Sequence, residues 1–459
     1  MAVQTQDKVA ALSGRESKFA DLPASLRERL RDRLHVAELR RRPRTLSTRL
    51  LLTLALVGPG ILVMLGDNDA GGVITYAQTG ATYGIGVFLP LTLLLGVMAY
   101  VVQEMTIRLG AVTRRGHGEL IWKRYGTFWG AFSLIDLVAA NVLTLMTEFI
   151  GIRVAGAVFG LSPFFTVPAA VAFVAFILVF LRYWTWERIA LFIAVLNMVF
   201  LPIAFLSHPE WAAVGRAFGT WHVSGGMLSA SFLVLVSANI GTTIAPWQLF
   251  FQQSSVVDKG LLPQDIPAGR RDLALGVTAM VLVAWAIIII AGQTMHGLPG
   301  AQNFQIEQIL ASIHASVGDT ATTFFALGLM EAGLIAAIVI TTSTCWAIGE
   351  AFDLPRSLNE DPRKALGFYL PGILGTVLAG VVVLLPGVPL GFLNLLVQVV
   401  ATIFMPAAML FLLMLLNDRE LMGEHVNSAG RNALALGIMA FLILCNAMFG
   451  VATLFPHLL

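Results

Sequence analysis

Gly66-Asp67-Asn68-Asp69-Ala70-Gly71-Gly72 interrupts a segment otherwise apolar enough to cross a membrane. From Leu51 to Leu65 the chain is mostly Leu, Val, Ala and Ile, and apolar residues resume after Val73. A charge near a bilayer centre costs on the order of 3 kcal/mol or more, so it persists there mainly for function. Three glycines let the backbone leave the helical path, freeing carbonyls and amides beside the carboxylates. An unwound segment at membrane depth is tolerated only where protein or a water-filled cavity surrounds it. The stretch therefore reads as an ion site in a broken helix.

The composition agrees. Of 459 residues, 57% are hydrophobic and 12% charged, with a mean hydropathy of +0.81. Soluble domains carry roughly 25% charged residues. Cys345 and Cys445 both lie in apolar runs, which argues against a disulfide framework or a thiolate cluster. The first 45 residues are polar and charged, unlike a cleaved signal peptide.

Apolar runs of about 20 residues predict spanning helices near 50–76, 84–109, 132–160, 163–182, 187–207, 227–255, 271–295, 318–349, 366–386, 390–416 and 433–455. With the N-terminus cytoplasmic, the inner segments collect 27 of the 29 Lys and Arg residues; only Arg153 and Arg216 fall elsewhere. The positive-inside rule thus places the N-terminus in the cytoplasm and the C-terminus outside. The net charge of +2 reflects topology, and nucleic-acid binding is excluded as a reading.

Residues 1–49 form a basic tail in which Ser25-Leu26-Arg27-Glu28 is a capping-box pattern. It reads equally as an interfacial amphipathic helix or as a solvated tail. A second interruption, Ser237-Ala238-Asn239-Ile240-Gly241-Thr242-Thr243-Ile244-Ala245-Pro246, lies in the sixth span, where Pro246 lacks an amide hydrogen. Breaks in spans one and six suggest two five-helix inverted repeats, about 50–207 and 227–416, meeting around a substrate. Residues 417–459 then supply a cytoplasmic loop and an eleventh helix.

These residues resemble the Nramp (natural resistance-associated macrophage protein) family of divalent-metal transporters. Gly58-Pro59-Gly60 followed by the opening stretch is similar to the family's first helix, whose signature is D-P-G-N. Asp69 takes the metal-binding Asp position, Ala70 replaces Pro, and Gly72 replaces the ligating Asn. Arg108-Leu109-Gly110-Ala111-Val112-Thr113 with Arg124-Tyr125, and Glu148-Phe149-Ile150-Gly151, resemble the second-helix exit and the third-helix E-V-I-G. Where the family carries A-x-x-M-P-H, this chain reads Thr242-Thr243-Ile244-Ala245-Pro246-Trp247. Ala245 replaces the ligating methionine, and Thr242 takes the place of the carbonyl ligand. Trp247 and Gln252 fall at the two usual histidines, and Leu145 stands where a proton-accepting Asp is frequent. Gln398-Val399-Val400 resembles a Q-V-V whose glutamine approaches the metal. The departures resemble the Nramp-related magnesium transporter clade. The resemblance implies an all-α polytopic membrane protein with about eleven spans and a LeuT-like 5+5 inverted repeat, its helices one and six broken.

A methionine thioether favours thiophilic metals, so Ala245 removes the soft ligand and leaves oxygen donors around Asp69. Mg²⁺ keeps several waters and takes one or two carboxylates. Gly72 and Ala245 are expected to widen the pocket for those waters, with Gly71, Thr243 and Pro246 shaping it. Asp67 turns toward the same ion or hydrogen-bonds nearby amides. No histidine is placed at the breaks, which argues against proton coupling. Glu148 and Arg153 are expected to form a buried ion pair. Glu331, a further intramembrane acid, reads as internally hydrogen-bonded or as part of an ion path. Tyr183, Trp184 and Trp186 read as an interfacial belt.

The expected function is uncoupled uptake of largely hydrated Mg²⁺ across the plasma membrane by alternating access, with Mn²⁺ as a second substrate. A monomer in the lipid bilayer, with no cofactor and no enzymatic activity, is expected. The alternatives are a proton-coupled Mn²⁺/Fe²⁺ importer and a sodium-coupled carrier of small organic solutes on the same scaffold.

Overall fold

The computed structural model describes residues 57–220, 227, 229–301 and 305–454. The basic tail, its capping box and the start of the first span lie outside the described residues. Among the described residues all regular structure is helical. In order come α1 (Pro59–Leu65), α2 (Ala70–Tyr83), α3 (Phe88–Thr113), α4 (His117–Val158), α5 (Pro163–Phe180), α6 (Tyr183–Val195), α7 (Phe200–Leu206) and α8 (Trp211–Ala217). The remainder comprises α9 (Ala230–Thr243), α10 (Pro246–Lys259), α11 (Ile266–Thr294), α12 (Ile306–Val317), α13 (Asp319–Ala351), α14 (Leu366–Leu384), α15 (Leu390–Leu416), α16 (Arg419–Met422) and α17 (Ala429–Leu454).

Among the described residues, ten helical segments are long and apolar enough to cross a membrane. The α1/α2 pair, too interrupted to count among them, supplies the remaining expected crossing. Both predicted breaks are present: α1 stops at Leu65 before α2 begins at Ala70, and α9 stops at Thr243 before α10 begins at Pro246. The fold is the LeuT-like inverted repeat, with spans one and six broken. Two details depart from the sequence reading. The third span begins early, because a turn at Gly126 (φ 84°) joins a short helix onto it. The connecting helices α8 and α12 are too short to register as spans in the sequence.

Polarity is arranged inside out. Fully buried positions include Asp67, Asn68, Gln103, Glu148, Gln248 and Gln252, whereas Phe164, Phe180, Phe192 and Phe392 stand exposed on outer faces. An apolar surface of this kind suits acyl chains.

Close helix approach comes from small residues. A Cβ on Gly60 would lie 2.6 Å from the Leu273 nitrogen, and one on Gly276 would lie 2.7 Å from the Gly60 oxygen, so α1 lies directly against α11. There the Asp272 carboxylate accepts the amides of Gly58 (3.1 Å) and Gly60 (2.7 Å). These are among the first amides of α1, which no helical carbonyl can reach.

The expected aromatic belt is corrected. Tyr183 and Trp186 are buried in the bundle, where Trp186 packs against Phe251 and Trp346 at ring-centroid distances of 6.1 and 6.2 Å. Trp184 instead lies under the Lys259 ammonium, 5.3 Å away. The Trp and Tyr residues at this helix start therefore mark a face packed into the bundle.

Candidate functional site

The first break is built by its own side chains. Asp69 is extended (φ −68°, ψ 171°) and caps α2, its Oδ1 accepting the Gly72 amide. An N-cap carboxylate also faces the positive end of the helix dipole. The second break follows from Pro246. It occupies the first position of α10, where a missing amide costs nothing. Four residues earlier, however, the Thr242 carbonyl loses the donor that a continuous helix would provide. Ile244 and Ala245 are extended between the two halves.

Tertiary packing brings the breaks together. Thr242 Oγ1 donates to Asp69 Oδ1 at 3.4 Å. Thr243 Oγ1 lies 3.1 Å from the Tyr76 hydroxyl on α2. Gln398 on α15 is buried against Gly71, and its Nε2 has no protein partner. Asp69, Thr242, Gln398 and Ala245 are each at most 3% exposed. Asp69, Thr242 and Gln398 therefore gather around the first helical turn of α2 in one buried polar centre, and Ala245 lies in the extended link of the second break.

Asp67 has its own partner. Its Oδ1 accepts from Gln248 Nε2 on α10, while Oδ2 has no protein partner. Gln248 is in turn held by Gln103 Nε2 at 3.1 Å. Asp67 thus has one oxygen on a side-chain amide and one without a protein partner.

Two expectations need correction. Glu148 is not paired with Arg153. Its Oε2 accepts the Ala70 amide at 2.9 Å, while Arg153 donates to the Val383 carbonyl at 2.7 Å. Five residues along a helix rotate the two side chains about 140° apart, which a shared ion pair cannot bridge. Nor does Gly72 widen the pocket in this conformation. A Cβ there would meet Thr242 Oγ1 at 2.5 Å and Asp69 Oδ1 at 2.9 Å, so the missing side chain permits close approach. Glu331 is internally hydrogen-bonded on one oxygen only, accepting from Asn197 Nδ2 at 3.2 Å.

The positions of the two usual histidines behave differently. Trp247 is buried against Phe251, ring centroids 6.1 Å apart, close beneath the first break. Gln252 is fully buried with neither amide atom partnered by protein. Leu145 is buried one helical turn before Glu148.

Sequence reasoning missed the supporting amides. Gln248 holds Asp67, and Asn394 Nδ2 donates to the Gly71 carbonyl at 3.3 Å. A signal existed in the i,i+4 amide pairs Gln248/Gln252 on α10 and Asn394/Gln398 on α15, each placing two amides on one helical face.

Comparison with known proteins agrees with this architecture. The divalent metal cation transporter MntH of Aeromonas hydrophila is 25% identical over 420 residues, spanning 87% of this chain and 96% of that protein. MntH of Granulibacter bethesdensis is 23% identical over 394 residues, 82% of this chain and 83% of that protein. Among solved structures, an Eremococcus coleocola manganese transporter aligns with a TM-score of 0.70 at 20% identity, covering 88% of this chain and 87% of that one. MhsT, solved with L-phenylalanine, shares the fold more distantly, with a TM-score of 0.51 at 14% identity over 86% and 98% of the two chains. Residues 60–452 match the family described as natural resistance-associated macrophage protein-like, and the chain belongs to that family.

Proposed function

We infer that this protein is a divalent-metal transporter of the plasma membrane whose cargo is bound between the two helix breaks. The carrying observation is the hydrogen bond from the Thr242 hydroxyl to Asp69 Oδ1, on the same residue whose carbonyl Pro246 deprives of its helical donor. A carboxylate, a freed carbonyl, a hydroxyl and a glutamine make an oxygen-rich donor set, and oxygen donors suit hard cations.

Within that class we favour Mg²⁺ carried with much of its water, Mn²⁺ being a second substrate. Ala245 supplies no sulfur where the family has methionine, which removes the preference for thiophilic ions. Movement is proposed to be uncoupled from protons and driven by gradient and potential, the latter about 2.3 kcal/mol per charge per 100 mV. Trp247 and Gln252 cannot titrate where the family usually places histidines. The N-terminus is assigned to the cytoplasm, the C-terminus to the outside, and the working unit to a monomer.

Proton-coupled Mn²⁺ or Fe²⁺ import is the second reading. It draws on Glu148, an acid held against the residue next to Asp69.

Competitive flux of Mg²⁺, Mn²⁺, Ca²⁺ and Fe²⁺ into proteoliposomes, with lumenal pH recorded, tests both readings. Mg²⁺ uptake at constant lumenal pH is expected. Acidification in step with uptake sinks the uncoupled reading, and full Mg²⁺ flux by Asp69→Ala sinks the site.

A further inference from the structure

Where the start of α4 meets the end of α13, charge and apolar surface adjoin in a way that the transport site does not use. Glu119 on α4 is 2% exposed, and three cationic side chains converge on its carboxylate. Lys123 Nζ stands 2.7 Å away, Arg356 Nη2 2.6 Å and Arg115 Nε 3.5 Å. Arg356 Nη1 has no hydrogen-bond acceptor, and the Asp353 carboxylate is 3.8 Å from it. A further acid, Glu350, lies on the inner side, where it takes the Ser254 hydroxyl of α10 and lines an internal cavity with Lys259. Arg115 and Lys123 are about half exposed, and they share a carboxylate that Arg356 already holds. The outer face of the cluster therefore keeps a positive excess.

Beside it an apolar groove of about 610 Å³ runs along α4 and α13, walled by Ile135, Val138, Val142, Ile348 and Phe352. Clefts that hold ligands measure roughly 300–1,000 Å³. Phe352 joins the two features, because its ring packs on Trp122, centroids 5.6 Å apart, and Trp122 precedes Lys123. Beyond the turn at Gly126, Phe128 and Trp129 are 72% and 47% exposed, as aromatic side chains at a bilayer interface are. Ile135 begins the groove six residues after Trp129, about 9 Å deeper along the helix at 1.5 Å per residue. The cations thus stand at headgroup level and the groove at the level of acyl chains.

We propose that this surface binds one anionic diacyl phospholipid, its phosphate on Arg115 and Lys123 and an acyl chain in the α4/α13 groove. Charge complementarity selects the headgroup, since basic side chains at a membrane surface attract anionic lipids and Arg and Lys both bind phosphate. A zwitterionic lipid brings its own cation and gains less from the excess. The groove selects a lipid over a soluble anion: Ile135 on its wall is 69% exposed on a spanning helix, so what fills it comes from the bilayer. The bound lipid clamps the start of α4 to the end of α13.

The test uses the full-length protein, free of divalent ions, in nanodiscs of phosphatidylcholine alone or with increasing phosphatidylglycerol. A saturable rise in melting temperature with phosphatidylglycerol is expected, and native mass spectrometry should find one such lipid retained per chain. Arg115→Gln combined with Lys123→Gln should abolish both while melting like the wild type in phosphatidylcholine. Ala139→Phe, which fills the groove at an exposed position and touches no charge, should weaken both severalfold. Arg363→Gln with Lys364→Gln removes two exposed charges from the connection after α13 and should leave both unchanged. Equal retention of phosphatidylcholine, equal stabilisation by soluble glycerol phosphate, or a full response in the Arg115/Lys123 or Ala139 variant would overturn the site. So would an equal loss in the Arg363/Lys364 variant, which would mean attraction to the surface charge at large.

Discussion

The Glu148 carboxylate accepts the Ala70 amide at 2.9 Å, tying the middle of α4 to the first residue of α2. That amide is one of the donors a helix start cannot satisfy by itself. The acid thus holds the half-helix whose cap is Asp69.

If Glu148 serves position and not proton transfer, glutamine should replace it, since its carbonyl can accept the same amide. Glu148→Gln is expected to retain metal flux at constant lumenal pH, whereas Glu148→Ala loses affinity by about 10- to 100-fold, as removal of supporting partners does. Proteoliposome uptake with a trapped pH dye reads both. A collapse of flux in the glutamine variant would restore a proton role.

Asp67 and Asp69 should separate in mutagenesis. Asp69→Ala is expected to abolish saturable uptake. Gln248→Leu strands the Asp67 carboxylate that it now partners, and should weaken apparent affinity roughly 10- to 100-fold. Titration of uptake against ion concentration distinguishes the two, and an unchanged half-saturation in Gln248→Leu would show that Asp67 takes no part.

Restoring sulfur tests selectivity. Ala245→Met places a thioether where the family has one, and uptake should shift from Mg²⁺ toward Mn²⁺ and Cd²⁺. Competition assays measure the ratio, and an unaltered ratio removes the sulfur argument.

The glycines of the first break should resist even one methyl. A Cβ on Gly71 would stand 2.7 Å from Thr147 Oγ1, and one on Gly72 is equally confined. Both alanine variants are expected to lower uptake by about tenfold or more, since overpacking costs about 1–3 kcal/mol. Wild-type rates in either would mean that α2 stands further from its neighbours.

A buried ion pair lies outside the breaks. Lys259 Nζ sits 2.8 Å from Glu187 Oε1, with both side chains nearly fully buried, and also donates to the Val57 carbonyl at 2.6 Å. Lys259→Met leaves a buried carboxylate unpaired and should cost about 3–5 kcal/mol, whereas the double change with Glu187→Leu is expected to recover most of it. Thermal melting of the purified variants decides.

Much of the architecture was legible because bilayer thickness imposes run length, and because Pro246 and the Gly66, Gly71 and Gly72 positions act on their own neighbourhoods. The polar character of the breaks was legible too, since Asp67, Asp69 and Thr242 carry it whatever surrounds them. The partners of the buried acids were not. Glu148 was expected to find Arg153, a near neighbour in sequence, and instead found an amide 78 residues away.

The sequence alone therefore determined the spans, the two breaks and the oxygen character of the centre between them. These are local properties, set by hydrophobic length, a missing amide hydrogen and the identity of each side chain. Tertiary structure decided which oxygen faces which donor: Asp67 with Gln248, Asp69 with Thr242, and Glu331 with Asn197. Those choices depend on how each helix is rotated and how closely its glycines let it approach. A helical period records which residues share a face, but not which neighbour that face will meet.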